Sequence, residues 1–212
     1  PIEVEIEYAG QIVKAAMTNK SLYTNVSIKK TGYAQTMNNN IMRWTVSGVR
    51  NDSTTSLQSF YWRDTLPTDA VRLTRLVTGT YSTTQTYKVT FTTNLNSQWR
   101  TAYDNLSTAK NYTLDMSSAA LGLASNEYVT QFMLSFGIVP AGFHQLTNAT
   151  VDAQTLYALT NGYKFTNKAD VGGLLGGNWV QSIARWTTSI YSHYVPAKPA
   201  APKSPTLPRT GY

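Results

Sequence analysis

Apolar residues recur two apart along most of this chain, with polar residues between them, and that alternation predicts strands with one buried face. The rows are Met42, Trp44 and Val46; Phe60, Trp62 and Leu66; Tyr87, Val89 and Phe91; Phe132, Leu134, Phe136 and Ile138; and Tyr163, Phe165, Ala169 and Val171. Turn-forming clusters close the runs, among them Asn38-Asn39-Asn40, Asn51-Asp52-Ser53 and Asn161-Gly162. Many short strands of this kind predict two packed antiparallel sheets, an all-β sandwich of immunoglobulin-like type. Only 98–107 and 117–124 look briefly helical, and they are expected as decorations on loops.

The pattern also divides the chain. Residues 22–194 carry the sandwich. Residues 1–21 hold a separate alternating run, Ile2, Val4, Ile6 and Tyr8, expected as the tail of a preceding domain or an extra strand. From 195 to 212 the composition changes: VPAKPAAPKSPTLP has five prolines and almost nothing that builds a core, the composition of a stiff extended spacer. Because the chain starts at Pro1 without a leader, a fragment or processed form is expected.

With 42% hydrophobic and 14% charged residues, the 212-residue chain has the material for a core and is not a disordered one. It has no cysteine, which removes disulfides and Cys-based metal sites, and its two histidines, His144 and His193, are far apart in sequence, so no metal site and no cofactor are expected. The net charge of +7 comes from scattered Lys and Arg, with no run longer than Lys29-Lys30. That is not the dense stripe of a nucleic-acid binder, although it suits weak attraction to polyanions such as wall teichoic acids. No apolar run reaches the length of a membrane span.

Residues Leu207-Pro208-Arg209-Thr210-Gly211 resemble the LPxTG sorting signal of Gram-positive surface proteins. Four fixed positions arise by chance in a chain this long on the order of a few times per thousand. The resemblance implies that a sortase cuts between Thr210 and Gly211 and joins the Thr210 carbonyl to peptidoglycan. The apolar span and basic tail that follow such a signal are missing, so any membrane contact is expected only through that missing span.

A second resemblance covers the body. Ser27-Ile-Lys-Lys-Thr-Gly32, Tyr61-Trp-Arg-Asp-Thr-Leu-Pro67 and Phe165-Thr-Asn-Lys-Ala-Asp-Val171 are similar to motifs of conserved-repeat and collagen-adhesin A-type domains. In that family a lysine and an asparagine cross-link spontaneously beside a catalytic acid. The resemblance implies Lys30 and Asn167 as the cross-linked pair and Asp64 as the acid.

Parity tests this independently. Val26, Ile28 and Lys30 share one face of a strand; so do Phe60, Trp62, Asp64 and Leu66, and Phe165, Asn167, Ala169 and Val171. Three apolar rows therefore each contain one polar side chain. Such a group costs several kcal/mol in a core unless paired, and three converging groups answer that cost together. The plain alternative is a Lys30–Asp64 salt bridge at a sheet end with Asn167 capping a turn. Glu127 is the rival acid, although it should face away from the row Phe132, Leu134, Phe136 and Ile138 unless a bulge intervenes.

The expected function is a wall-anchored surface protein of a Gram-positive bacterium: a stalk or adhesion module, not a turnover enzyme, with sortase, peptidoglycan and a host or matrix glycan or protein as partners. A pilin subunit and a carbohydrate-binding module are the alternatives.

Overall fold

The structure is a computed structural model that describes residues 2–8, 11–17, 23–32, 35–36 and 41–191. Its strands are β1 (Ile2–Tyr8), β2 (Gln11–Met17), β3 (Val26–Gly32), β4 (Gln35–Thr36), β5 (Ile41–Asn51), β6 (Leu57–Thr65), β7 (Val71–Val77) and β8 (Thr80–Tyr81). They continue with β9 (Thr86–Thr93), β10 (Arg100–Ser107), β11 (Thr113–Asp115), β12 (Val129–Val139), β13 (Gln145–Thr147), β14 (Ala149–Thr155), β15 (Lys164–Leu175) and β16 (Asn178–Tyr191). None of the described residues is helical.

Two sheets face each other, ordered β11-β7-β14-β5-β3 and β10-β9-β12-β6-β15-β16-β4. Within them β3-β5-β14-β7 and β6-β15-β16 follow the A-B-E-D and C-F-G orders of a constant-type immunoglobulin domain. The strands β8 to β13 are inserted between the fourth and fifth of those positions, and β9, β10 and β12 widen the second sheet beyond β6. All pairings are antiparallel except the short β16–β4 contact. Strands β1 and β2 pair with each other as a separate two-stranded sheet.

The expected rows make the core. Met42, Trp44 and Val46 of β5, Phe60 and Trp62 of β6, Val89 of β9, and Phe132 and Leu134 of β12 are all buried. Burying each of the large side chains contributes about 1.5–3 kcal/mol. The polar tip of Trp62 is satisfied inside, its Nε1 donating to Tyr81 Oη at 2.8 Å while that hydroxyl donates to the Thr78 carbonyl at 3.0 Å.

Three expectations are corrected. Residues 98–107 are not helical: 100–107 form β10, whose pairing with β9 slips between Thr101 and Tyr103 and again between Tyr103 and Leu106. Each slip adds a residue, so inward positions fall three apart and imitate a helical period. Residues 117–124 are a string of turns, with the Leu121 N–H donating to the Ser117 carbonyl and the Gly122 N–H to the Ala119 carbonyl. Ile138 does not continue the buried row of β12; it is exposed and Val139 is buried instead. The β12–β6 register shifts at Gly137, which has φ +73°, and the extra residue exchanges the two faces.

Candidate functional site

Lys30, Asp64 and Asn167 come from three strands. Lys30 closes the inward row of β3, the edge strand of one sheet, and β3 packs across β15 and β16 of the other. Asp64 lies near the end of β6, paired with Ala169 of β15 on one side and Phe132 of β12 on the other. Asn167 is two residues from Ala169 on β15, and so it is the diagonal neighbour of Asp64 on the same inner face. The three residues are 6%, 0% and 0% exposed.

Lys30 Nζ forms an ion pair with Asp64 Oδ2, both side chains closed to solvent. The ammonium also sits 5.8 Å from the centre of the Trp44 ring, which meets Phe165 edge-on at 6.3 Å. Burial lowers the lysine pKa against the pull of Asp64, and burial raises the Asp64 pKa against the pull of Lys30. Both shifts favour the neutral forms, a free amine beside a carboxylic acid.

Asn167 is close enough to help hold the Asp64 pKa down, yet it makes no well-formed hydrogen bond. Its Oδ1 and Nδ2, and Asp64 Oδ1, all lack a partner although fully buried. An orphaned amide in a dry core costs several kcal/mol, so its presence needs an explanation. Turn capping is not one, since Asn167 lies inside β15 opposite Trp186 of β16. An amine, a carboxyl group and a carboxamide gathered away from water, with burial favouring the neutral forms of the first two, are the parts of an amide-exchange reaction.

Gly32, two residues after Lys30, shows how closely this end of the sandwich is shut. A Cβ there would lie 2.6 Å from Trp44 Cδ1 and 2.8 Å from Trp186 Cδ1. Those contacts are too short to keep, so Gly32→Ala forces one or both indoles aside. The variant is expected to lose about 1–3 kcal/mol of stability in a denaturant titration, the usual range for overpacking a full core.

Glu127 is elsewhere. Its Oε1 accepts from Thr93 Oγ1 at 2.7 Å and from Arg100 Nη2 at 2.5 Å. The Thr93 hydroxyl and the Arg100 guanidinium hold the carboxyl of this partly buried residue below the usual range. Lys30 has Asp64 as its acid partner. The sorting-signal residues Leu207, Pro208, Arg209, Thr210 and Gly211, and the spacer before them, lie outside the described residues.

The parity rows name inner-face residues alone, and no residue on the outer face of the larger sheet is singled out by them. Tyr61 is buried there, with its hydroxyl donating to Asp170 Oδ2 at 3.0 Å and accepting from Gln181 Nε2 at 2.6 Å. The signal available in the sequence was the run Phe60-Tyr61-Trp62, in which two faces are apolar at once.

Neither a protein-family model nor a curated protein matches the sequence. Among solved structures the chain is similar to the C-terminal domain of the AgI/II polypeptide BspA of Streptococcus agalactiae, at 12% identity and a TM-score of 0.38, covering 87% of this chain and 54% of that one. It thus spans about half the length of that structure. It is also similar to the collagen-binding subdomain of the surface protein ACE of Enterococcus faecalis, at 11% identity and a TM-score of 0.31, over 84% of this chain and 100% of that one. A collagen-binding domain from a Staphylococcus aureus adhesin gives 12% identity and a TM-score of 0.31, over 78% and 99%. Scores this low carry no functional argument, and the reading that follows rests on the chain's own residues.

Proposed function

We propose that this chain belongs to a cell-wall-anchored surface protein of a Gram-positive bacterium and that its sandwich is a stalk or adhesion module closed by a Lys30–Asn167 isopeptide bond. The observation that carries the proposal is the sealed cluster of Lys30, Asp64 and Asn167, with the carboxamide of Asn167 left unpaired.

The chemistry needs no external reagent. A proton passes from the Lys30 ammonium to the Asp64 carboxylate, leaving a neutral amine. That amine attacks Asn167 Cγ while the Asp64 hydroxyl donates to the developing oxyanion at Oδ1. The Nζ–Cγ bond forms, the Cγ–Nδ2 bond breaks, and Asp64 relays a proton from Nζ to the departing nitrogen, giving ammonia. The ammonia takes up the proton that Asp64 first received from Lys30 and departs as ammonium, so Asp64 ends as the carboxylate it began as, and the event occurs once per molecule. Holding the three groups together supplies much of the rate. In a chain without cysteine, this bond takes the place of a disulfide.

The test is the intact mass of the purified chain. It should lie about 17 Da below the sequence mass, the ammonia lost in the exchange. Proteolysis should give one branched peptide containing residues 30 and 167. A mass equal to the sequence value overturns the cross-link.

Wall anchoring rests on the LPRTG signal behind its proline-rich spacer, where missing backbone donors disfavour docking onto a sheet. A housekeeping-type sortase supplied with triglycine should remove Gly211-Tyr212 and attach the amine to Thr210, and Thr210→Ala should block this without moving the melting temperature. Resistance of the wild-type tail to a sortase that cleaves a control LPxTG peptide overturns the anchoring reading.

A further inference from the structure

The outer face of the larger sheet holds a groove of about 760 Å³, within the size range of small-ligand sites. Parity puts Tyr61 and Arg63 of β6, Ser135 of β12, Lys88 of β9 and Gln181 of β16 on this face, away from Lys30 and Asn167. Trp99, before β10, and Trp179, on β16, also line it, and both are exposed, at 40% and 56%.

Its floor is fixed. Gly172 of β15 lies beneath Tyr61, where a Cβ would come within 2.9 Å of the phenol ring. The glycine therefore lets the ring lie flat over the sheet, with Trp179 edge-on to it at 6.0 Å. Arg63 holds the buried Asp170 with two hydrogen bonds, Nε to Oδ1 at 3.0 Å and Nη2 to Oδ2 at 2.9 Å, and Gln181 and Tyr61 complete the network. A sheet face that only met water would need no such buried polar lattice.

The backbone around the groove is strained in a matching way. Ser59 and Asn105 are the residues other than glycine with positive φ among those described, at 49° and 55°. Ser59 lines the groove, and Asn105 follows Asp104, which also lines it. Register shifts in the β12–β6 and β10–β9 pairings border the same place. Bulges and left-handed side-chain residues collect where a strand must re-aim a side chain toward a ligand.

We infer that this groove binds a neutral oligosaccharide, with sugar rings stacked on Trp99 and Trp179 and their hydroxyls hydrogen-bonded to the polar floor. Indole faces accept the C–H face of a pyranose ring, and fixed amide, guanidinium and carboxylate groups suit its hydroxyls, which both donate and accept. Charge argues for a neutral ligand: Asp170 neutralises Arg63, leaving Lys88 and Asp104 as one charge of each sign. Asp104 is exposed, with one carboxylate oxygen engaged by the Asn105 N–H, and its other oxygen can take a ligand donor in place of solvent. A proline-rich peptide, the other frequent guest of aromatic grooves, has few donors to offer it. The inference does not depend on the state of Lys30 and Asn167.

The full chain is titrated by calorimetry and tryptophan fluorescence with cellohexaose, chitohexaose and a poly-N-acetyllactosamine hexasaccharide. A (Pro-Pro-Gly)10 peptide and a heparin hexasaccharide serve as the competing chemistries. At least one neutral hexasaccharide should bind, and Trp99→Ala should weaken it about tenfold or more, the loss of one stacking contact, with an unchanged melting temperature. Because Trp179 packs on Tyr61, Trp179→Phe is paired with Trp179→Ala: the first should keep part of the affinity and the second lose it. The inference is overturned if no neutral hexasaccharide binds at roughly millimolar concentration. It is also overturned if binding survives both alanine variants, or if only the peptide or the heparin fragment binds.

Discussion

Asp64→Ala is expected to give a protein about 17 Da heavier than wild type after allowing for the substitution, because the ammonia is never released. Among the described residues Asp64 is the one carboxylate paired with Lys30, it is fully buried, and burial raises its pKa toward the acid form that polarises a carboxamide. Without it Lys30 and Asn167 remain near each other with nothing to move the proton. The sandwich should still form, since Phe132 and Ala169, which flank Asp64 in the sheet, belong to the buried core. Glu127→Ala is the control. Its carboxylate is engaged by Thr93 and Arg100 and not by Lys30, so the mass should stay at the cross-linked value. Loss of the bond in Glu127→Ala, with the bond intact in Asp64→Ala, would overturn the assignment of the acid.

Lys30→Ala should lower the melting temperature far more than one core truncation does. In the loop-entropy treatment used for disulfides, closing a loop of more than a hundred residues stabilises by about 4–5 kcal/mol. For a domain of this length that corresponds to about 10–20 °C. Part of any loss in Lys30→Ala comes from leaving Asp64 buried without its ion partner. Asn167→Ala separates the two effects, because it prevents the bond and leaves Lys30 and Asp64 paired as ions. Lys30→Ala should therefore fall further than Asn167→Ala, with unfolding followed by circular dichroism and resistance followed by limited proteolysis. A drop of only a few degrees in Asn167→Ala would show that the bond does not hold the domain.

Strand parity made the inner faces legible, because a period of two survives wherever pairing is regular. Val26, Ile28 and Lys30 point inward together, as do Phe60, Trp62 and Asp64, and Phe165, Asn167 and Ala169. Parity failed wherever an extra residue entered a ladder. Gly137 moved Ile138 from the core to solvent, and two slips in β10 made its spacing look helical. Neither slip has a local cost that composition reveals. The groove was hidden for a different reason: its members lie on outward positions of separate strands, joined by the pairing of β6 with β12 and β15, of β15 with β16, and of β9 with β12 and β10. Gly172 under Tyr61 has meaning only once that register is known.

The order of the strands also decides how the domain answers a pull. Lys30 is on the first strand of the sandwich and Asn167 on the next to last, so with the bond formed, tension entering near residue 23 and leaving near residue 191 bypasses β5 to β14 and crosses a single covalent link. The more than a hundred residues between the two carry no load and pay out no slack. That withholds roughly 400–500 Å of extended chain, at about 3.3–3.6 Å per residue. Under traction the module should therefore behave as a short inextensible tie, with only the flanking ends of β3, β15 and β16 free to peel. The groove residues on β6, β9 and β12 lie inside the shielded loop, whereas Trp179 and Gln181 of β16 lie on the load path, so a pull that peels β16 would open that wall of the groove first.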